Sequence, residues 1–159
     1  MIEQLGIKEI VLESAKEVFE TMIFMDITET AEPDSDIEGW AILGLITFRG
    51  AMEGCLAICC STPCAQTISM NMLGIDSAEQ VSEADTCDAI GEVANMIVGR
   101  VKKHLAETVG NIEISIPSVV NGREIKNNLG NDAELVTAKV NIEDKYVAKL
   151  SMLYRKSSK

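Results

Sequence analysis

Residues 82–110, SEADTCDAIGEVANMIVGRVKKHLAETVG, decide the fold of this chain because they predict one long helix with two contrasting faces. Ser82 with Asp85 three residues later is typical of a helix N-cap, and Gly110 follows the expected end at Thr108. Apolar residues recur at helical spacing and would pack on a core: Ile90, Val93, Ala94, Ile97, Val98, Val101 and Leu105. The segment therefore predicts an amphipathic helix.

The other face of this helix carries a polar stripe formed by Asp88, Glu92 and Asn95. Spacings of i, i+4 and i+7 place three side chains within roughly 60° of each other at helical pitch. Gly99 extends the stripe, and Gly91 and Lys102 flank it. Glycine costs a helix interior about 1 kcal/mol relative to alanine, so the glycines favour close approach of another surface. An ordinary solvated helix face would also show exposed acids.

The other predicted elements give the order helix, strand pair, short helix, long helix, strand, strand pair. In sequence they are a helix from about 7 to 25, an acidic loop 28–39, strands 40–48 and 53–60, a short helix opened by 61–63 and closed at 74, a strand 111–120 containing Pro117, a connection 121–132, and strands 135–142 and 146–154. Two halves each begin with a helix and continue in antiparallel strands. We expect an α+β fold with two long helices and a short helix on a mostly antiparallel sheet, with a pseudo-two-fold repeat.

Composition indicates one domain over residues 1–159. The chain is 47% apolar, which suffices for a core of its own. Its net charge is −11, with no basic run beyond Lys102-Lys103, which argues against nucleic acid and against anionic membranes. The N-terminus lacks the pattern of a signal sequence, and the longest apolar stretch, residues 40–48, is too short to span a bilayer. We expect a soluble, cytoplasmic protein.

The five cysteines, at 55, 59, 60, 64 and 87, form no Cys-x-x-Cys pair. Cys55, Ala57 and Cys59 alternate along one predicted strand, where a free thiol behaves as a small hydrophobe. The only histidine, His104, is distant in sequence. A disulfide framework, a metal site and redox chemistry are therefore the weaker interpretations.

Asp88, Glu92 and Asn95, followed 22 residues after Asn95 by Pro117, resemble the signature of the CheC/CheX/FliY family of chemotaxis phosphatases. That signature has Asp or Ser, Glu four residues later, Asn three after that, and a downstream proline, here about one residue closer than usual. Some members carry it on both long helices. In the first helix the corresponding residues are expected to be Ser14, Val18 and Thr21, of which only the serine is compatible. A single stripe resembles the CheX branch, and the resemblance implies a homodimer joined through the sheets.

The resemblance also implies an activity: hydrolysis of the aspartyl phosphate of a CheY-like response-regulator receiver domain. Asn95 would position the attacking water, Glu92 would reach the receiver's lysine, and Asp88 would support the contact. Gly91, Gly99 and Lys102 would then lie against the partner. The chain itself would bind no cofactor, since Mg²⁺ would be held by the receiver. Two alternatives stay open: a non-catalytic module that binds a receiver or a flagellar-switch component, and a cysteine-dependent metal or redox protein.

Overall fold

Three helices and a sheet make up the part of the chain that the computed structural model describes, residues 4–30, 41–122 and 132–157. The helices are α1 (Gln4–Val18), α2 (Thr62–Leu73) and α3 (Glu83–Thr108). The strands are β1 (Ile27–Glu29), β2 (Ala41–Gly50), β3 (Met52–Ser61), β4 (Ile112–Ile114), β5 (Ser118–Asn121), β6 (Glu134–Ile142) and β7 (Tyr146–Lys156). The predictions for Trp40, for most of the loop 28–39 and for most of the connection 121–132 lie outside the described residues.

All the described strands form one sheet in the order β1-β6-β7-β3-β2-β4, and β5 pairs with β2 farther along the same edge as β4. Every pairing between these strands is antiparallel. The helices pack on the sheet through one large apolar cluster, to which α1, α2 and α3 all contribute buried side chains. The predicted α+β class, with helices covering an antiparallel sheet, is confirmed.

Three differences from the sequence prediction go beyond small shifts at the ends of elements. Residues 27–29, assigned partly to a loop, form β1, in which Ile27 pairs with Ile142 of β6. The predicted strand 111–120 is divided into β4 and β5, with Pro117 in the gap between them, because proline cannot donate to a ladder. The first helix continues as a π turn, Phe19–Ile23, and ends where Phe24 adopts a left-handed conformation (φ 63°) and donates its N–H to the Phe19 carbonyl.

Helix α3 begins at the predicted cap. The Ser82 hydroxyl accepts a hydrogen bond from the Asp85 N–H at 2.9 Å, and the Asp85 carboxylate accepts one from the Ser82 N–H at 3.2 Å. These reciprocal bonds satisfy backbone donors that the first turn would otherwise leave unpaired. The start of α3 is therefore held by its own sequence.

Gly44 of β2 sets how closely α3 approaches the sheet. A Cβ atom at this position would lie 2.7 Å from Cγ2 of Ile90 and 3.0 Å from the Ile90 carbonyl oxygen. Both residues are buried, Ile90 completely. Helix α3 thus rests directly on the β2 backbone. This contact fixes the distance between the helix and the sheet.

None of the helices in the described ranges combines the length and the apolar character needed to cross a membrane.

Candidate functional site

The polar stripe lies on the solvent side of α3. Asp88, Glu92 and Asn95 are exposed, whereas Ile90 and Val93 between them are completely buried. The structure gives the three stripe side chains no hydrogen bond or ion pair to another described residue. Their carboxylate and carboxamide groups are therefore open to water or to a partner.

One flank of the stripe is closed by β5 and the residues before it. A Cβ atom at Gly91 would lie 3.3 Å from Cγ2 of Val119 and 3.7 Å from Cβ of Pro117. Gly91 is buried, and a side chain at this position would press against Val119 of the same molecule. The sequence-based prediction that Gly91 contacts a partner does not fit its burial. Pro117 instead borders the stripe, and Ile116 next to it is 86% exposed.

The other glycine and the flanking lysine are placed differently. Gly99 is exposed, and a Cβ atom there would meet nothing within 4 Å. Lys102 is exposed as well. Nothing within the described molecule requires glycine at position 99, and close approach of an external surface there stays a prediction.

The opposite flank of the stripe faces the end of α1. There Val18, Met22, Met96, Gly99, Arg100 and Lys103 line an open groove of about 400 Å³. Below this groove the guanidinium of Arg100 lies 3.4 Å from the carboxylate of Glu17, and the His104 imidazole lies 3.6 Å from the same carboxylate. The stripe is thus bordered by Pro117 and Ile116 on one side and, on the other, by a groove that combines apolar and basic residues.

Helix α1 does not expose the residues expected to correspond to the α3 stripe. Ser14 and Val18 are completely buried, so they cannot form an exposed counterpart of Asp88 and Glu92. A shift of one residue gives Glu13, Glu17 and Glu20 at the spacing of the α3 stripe; Glu13 and Glu20 are exposed, whereas Glu17 is half-buried and pairs with Arg100 of α3. This counterpart has carboxylates at all three positions and lacks a carboxamide. The prediction of a single complete stripe is unaffected by the correction.

Two ionisable side chains with raised pKa values lie in the core and at the far end of the sheet. A hydrogen bond with Cys64, together with burial, raises the pKa of the Cys60 thiol inside the core. Burial and the nearby Glu134 raise the pKa of the Tyr154 hydroxyl at the far end of the sheet. The polar stripe itself contains neither a thiol nor a hydroxyl, so its chemistry is that of a carboxylate and a neutral amide that donates and accepts hydrogen bonds.

Comparison with known proteins shows the family of the chain. A family model described as "Chemotaxis phosphatase CheX" matches residues 42–141, a range that includes the polar stripe and Pro117. The CheY-P phosphatase CheX of Thermotoga maritima is 30% identical over 86 residues, which cover 54% of this chain and 55% of that protein. The chain thus spans about half the length of the curated relative that it matches.

Solved structures share the whole architecture. The chemotaxis protein CheX from Vibrio vulnificus superposes with a TM-score of 0.78 at 22% identity, covering 98% of this chain and 100% of that one. CheX in the CheX-CheY-BeF3-Mg²⁺ complex from Borrelia burgdorferi superposes with a TM-score of 0.75 at 18% identity, covering 98% and 100%. At these identities the likeness establishes the fold, and the family model establishes membership. The chain belongs to the CheX family of chemotaxis phosphatases.

Proposed function

We propose that this chain hydrolyses the aspartyl phosphate of a CheY-like receiver domain, with Asn95 positioning the water and Glu92 docking to the receiver's lysine. The observation that carries the proposal is the pair Glu92 and Asn95, exposed on one face of a helix that is fixed by its cap and by Gly44. The relative in Thermotoga maritima is named a CheY-P phosphatase, and the Borrelia burgdorferi structure is named as a CheX-CheY complex. Both names support the same assignment.

The chemistry demands little of the enzyme beyond positioning. An acyl phosphate is already activated, and the receiver supplies its own Mg²⁺ and lysine, so hydrolysis requires a water in line with the scissile bond. A carboxamide can accept a hydrogen bond from that water and donate one to a phosphoryl oxygen without adding negative charge. Glu92, one turn before Asn95, pairs with the lysine and fixes the register of docking. Asp88, a further turn away, contacts the partner and helps to orient it.

The test is release of phosphate from phosphorylated receivers of the same cell. We expect Asn95→Ala to reduce kcat by about 10²-fold, or roughly 2.7 kcal/mol of barrier, because the water loses its orientation. Alanine is the better helix former, so the variant should be at least as stable as the parent. Unfolding of the variant could then not account for a loss of activity.

Asn111→Ala is the matched control, since Asn111 is an exposed asparagine just beyond the far end of α3. Its dephosphorylation rate should equal that of the parent protein. An active parent with an equally active Asn95→Ala variant rejects the role of Asn95. Receiver binding without any dephosphorylation would instead identify the non-catalytic binding module of the same family.

We also propose a homodimer formed through the sheet edge that carries β5. Among the described strands β5 pairs with β2 alone, and Val120 of β5 is 51% exposed. An edge with unpaired backbone groups and an exposed β-branched side chain is suited to pairing with another strand. This surface is available without disturbing the helices.

A further inference from the structure

We propose that the groove between the end of α1 and the middle of α3 receives an apolar side chain from the receiver domain, next to an acidic residue of the same receiver segment. We name it the methionine groove, after Met22 and Met96 in its walls; its other lining residues are Val18, Gly99, Arg100 and Lys103. The inference rests on the proposed function, because it assigns a second contact to the same partner. It makes the groove a determinant of affinity that is separate from the reacting groups.

Position is the first argument. Met96 directly follows Asn95, and Gly99 belongs both to the line of the polar stripe and to the wall of the groove. A partner seated on Asn95 therefore extends over the groove, since one helical turn advances only about 5.4 Å. The receiver surface that surrounds the phosphorylated aspartate is the surface that reaches this flank.

The second argument is the character of the groove. Met22 is 51% exposed although it is a large apolar residue, and methionine side chains adapt to a range of apolar partners. Gly99 leaves open space where any other residue would place a Cβ atom. Apolar walls around open space favour an apolar side chain as the occupant.

The backbone that carries Met22 is itself unusual. Met22 lies in the π turn Phe19–Ile23, and Phe24, which ends the turn, has a left-handed backbone and is 73% exposed. π turns occur often at functional sites, and a bulky residue with positive φ persists only where the surroundings require it. The turn places the half-exposed Met22 beside α3. A regular helix end would need neither the π turn nor the left-handed backbone at Phe24.

Charge indicates what accompanies the apolar side chain. Lys103 at the groove rim is exposed and has no ion pair with another described residue, whereas Arg100 is paired with Glu17. The chain as a whole carries a net charge of −11, so a basic rim is a local exception. It favours an acidic residue on the incoming segment.

The experiment measures binding of receiver domains of the same cell, activated with beryllium fluoride and Mg²⁺, and their dephosphorylation rates. Met22→Ser should raise Kd and KM by about tenfold and leave kcat at saturating receiver unchanged, because an anchor contact is lost without a change at Asn95. Met22→Leu should retain the parent affinity. Lys103→Glu should weaken binding more at low salt than at high salt.

Gly99→Leu is the complementary variant, because it fills the groove and raises helix propensity at the same time. It should bind the receiver at least tenfold more weakly while melting no lower than the parent. Ala106→Leu is its matched control: it adds leucine to the same helix at another exposed position, about 10 Å along the axis. That control should bind like the parent.

The outcomes separate the two proposals. Parent-like Kd and KM for Met22→Ser and Gly99→Leu would reject the groove and leave the phosphatase assignment intact. Weakened binding in these variants, with no hydrolysis by the parent, would reject the phosphatase and support the groove as a docking site. If Met22→Ser and Gly99→Leu changed the oligomeric mass in solution but not the receiver affinity, the groove would bind a second copy of the chain. That result would reject our proposal. Absence of any receiver binding by the parent would reject both.

Discussion

Ser14 is a completely buried residue of α1 whose hydroxyl has no hydrogen-bond partner within the described part of the molecule. A buried hydroxyl without a partner loses its hydration and gains nothing in return. Its position among Val11, Ala15 and Val18 makes it a residue of the core. It therefore has no part in a second stripe on α1.

We expect Ser14→Ala to raise the free energy of unfolding by about 1 kcal/mol, from relief of desolvation and from the helix propensity of alanine. Ser69→Ala is the matched control, because Ser69 is also completely buried in a helix but donates to the Asp85 carbonyl at 3.4 Å. It should gain less than Ser14→Ala or lose stability. Urea denaturation of the two variants measures the difference in the free energy of unfolding. A Ser14→Ala protein less stable than the parent would show that the Ser14 hydroxyl has a hydrogen-bond partner.

Glu92 is the residue to which we assign the charge-dependent part of docking. Glu92→Gln keeps the shape of the side chain and removes the charge, so we expect KM for the phosphorylated receiver to rise by about tenfold at low salt and by less at high salt. Glu107→Gln makes the same change at another exposed position of α3 and should leave KM unaltered. Equal KM values for the two variants would exclude Glu92 from the contact with the receiver.

Residue spacing alone predicted which α3 side chains face solvent, because one unbroken helix relates Asp88, Glu92 and Asn95. The correspondence of Ser14 and Val18 with the stripe came from the family resemblance, and both residues lie on the buried side of α1. Gly91 was a different failure. Gly91 is buried against Pro117 and Val119, which are far along the chain and meet it only in the folded molecule.

Helix α3 and strand β2 form the pair of elements that supports the polar stripe. The contact between Gly44 and Ile90 leaves no room for a methyl group, and the neighbouring atoms include a backbone oxygen, which cannot rotate away. The height of α3 above the sheet is therefore determined at one position, underneath the stripe.

We expect Gly44→Ala to lower the free energy of unfolding by about 1–3 kcal/mol, since overpacking forces the helix or the strand to shift. The dephosphorylation rate should fall as well, because the stripe moves with α3. Gly99→Ala is the contrasting substitution: it enters open space on a helix and should raise stability. Thermal melts followed by circular dichroism measure the loss of stability in Gly44→Ala and the gain in Gly99→Ala. A Gly44→Ala protein as stable as the parent would mean that α3 can be displaced at no cost in free energy.

At the element level, the sequence predicted the long, strongly patterned segments and missed the short ones. β1 has three residues and is stabilised by pairing with β6, a contact from distant sequence that no local pattern contains. The π turn was not predicted because its apolar residues continue the periodicity of α1. The change from α to π hydrogen bonding concerns the backbone and leaves no mark in the residue pattern.

Among the described strands none pairs with the outer side of β5, and this is where we place the dimer contact. Val120→Lys should convert the dimer to a monomer, because a lysine on an edge strand opposes pairing with a second sheet. Light scattering after gel filtration measures the mass. A dimeric mass for Val120→Lys would move the contact to another surface, and a monomeric parent protein would end the dimer proposal.

The buried thiols have a further use. Cys60 and Cys64 are completely buried between β3 and α2, whereas Cys55 and Cys87 are partly accessible. A small alkylating reagent reaches the buried pair only when this part of the core opens. Because labelling of Cys60 and Cys64 then follows the population of the open form, alkylation of the unmodified chain measures local unfolding between β3 and α2.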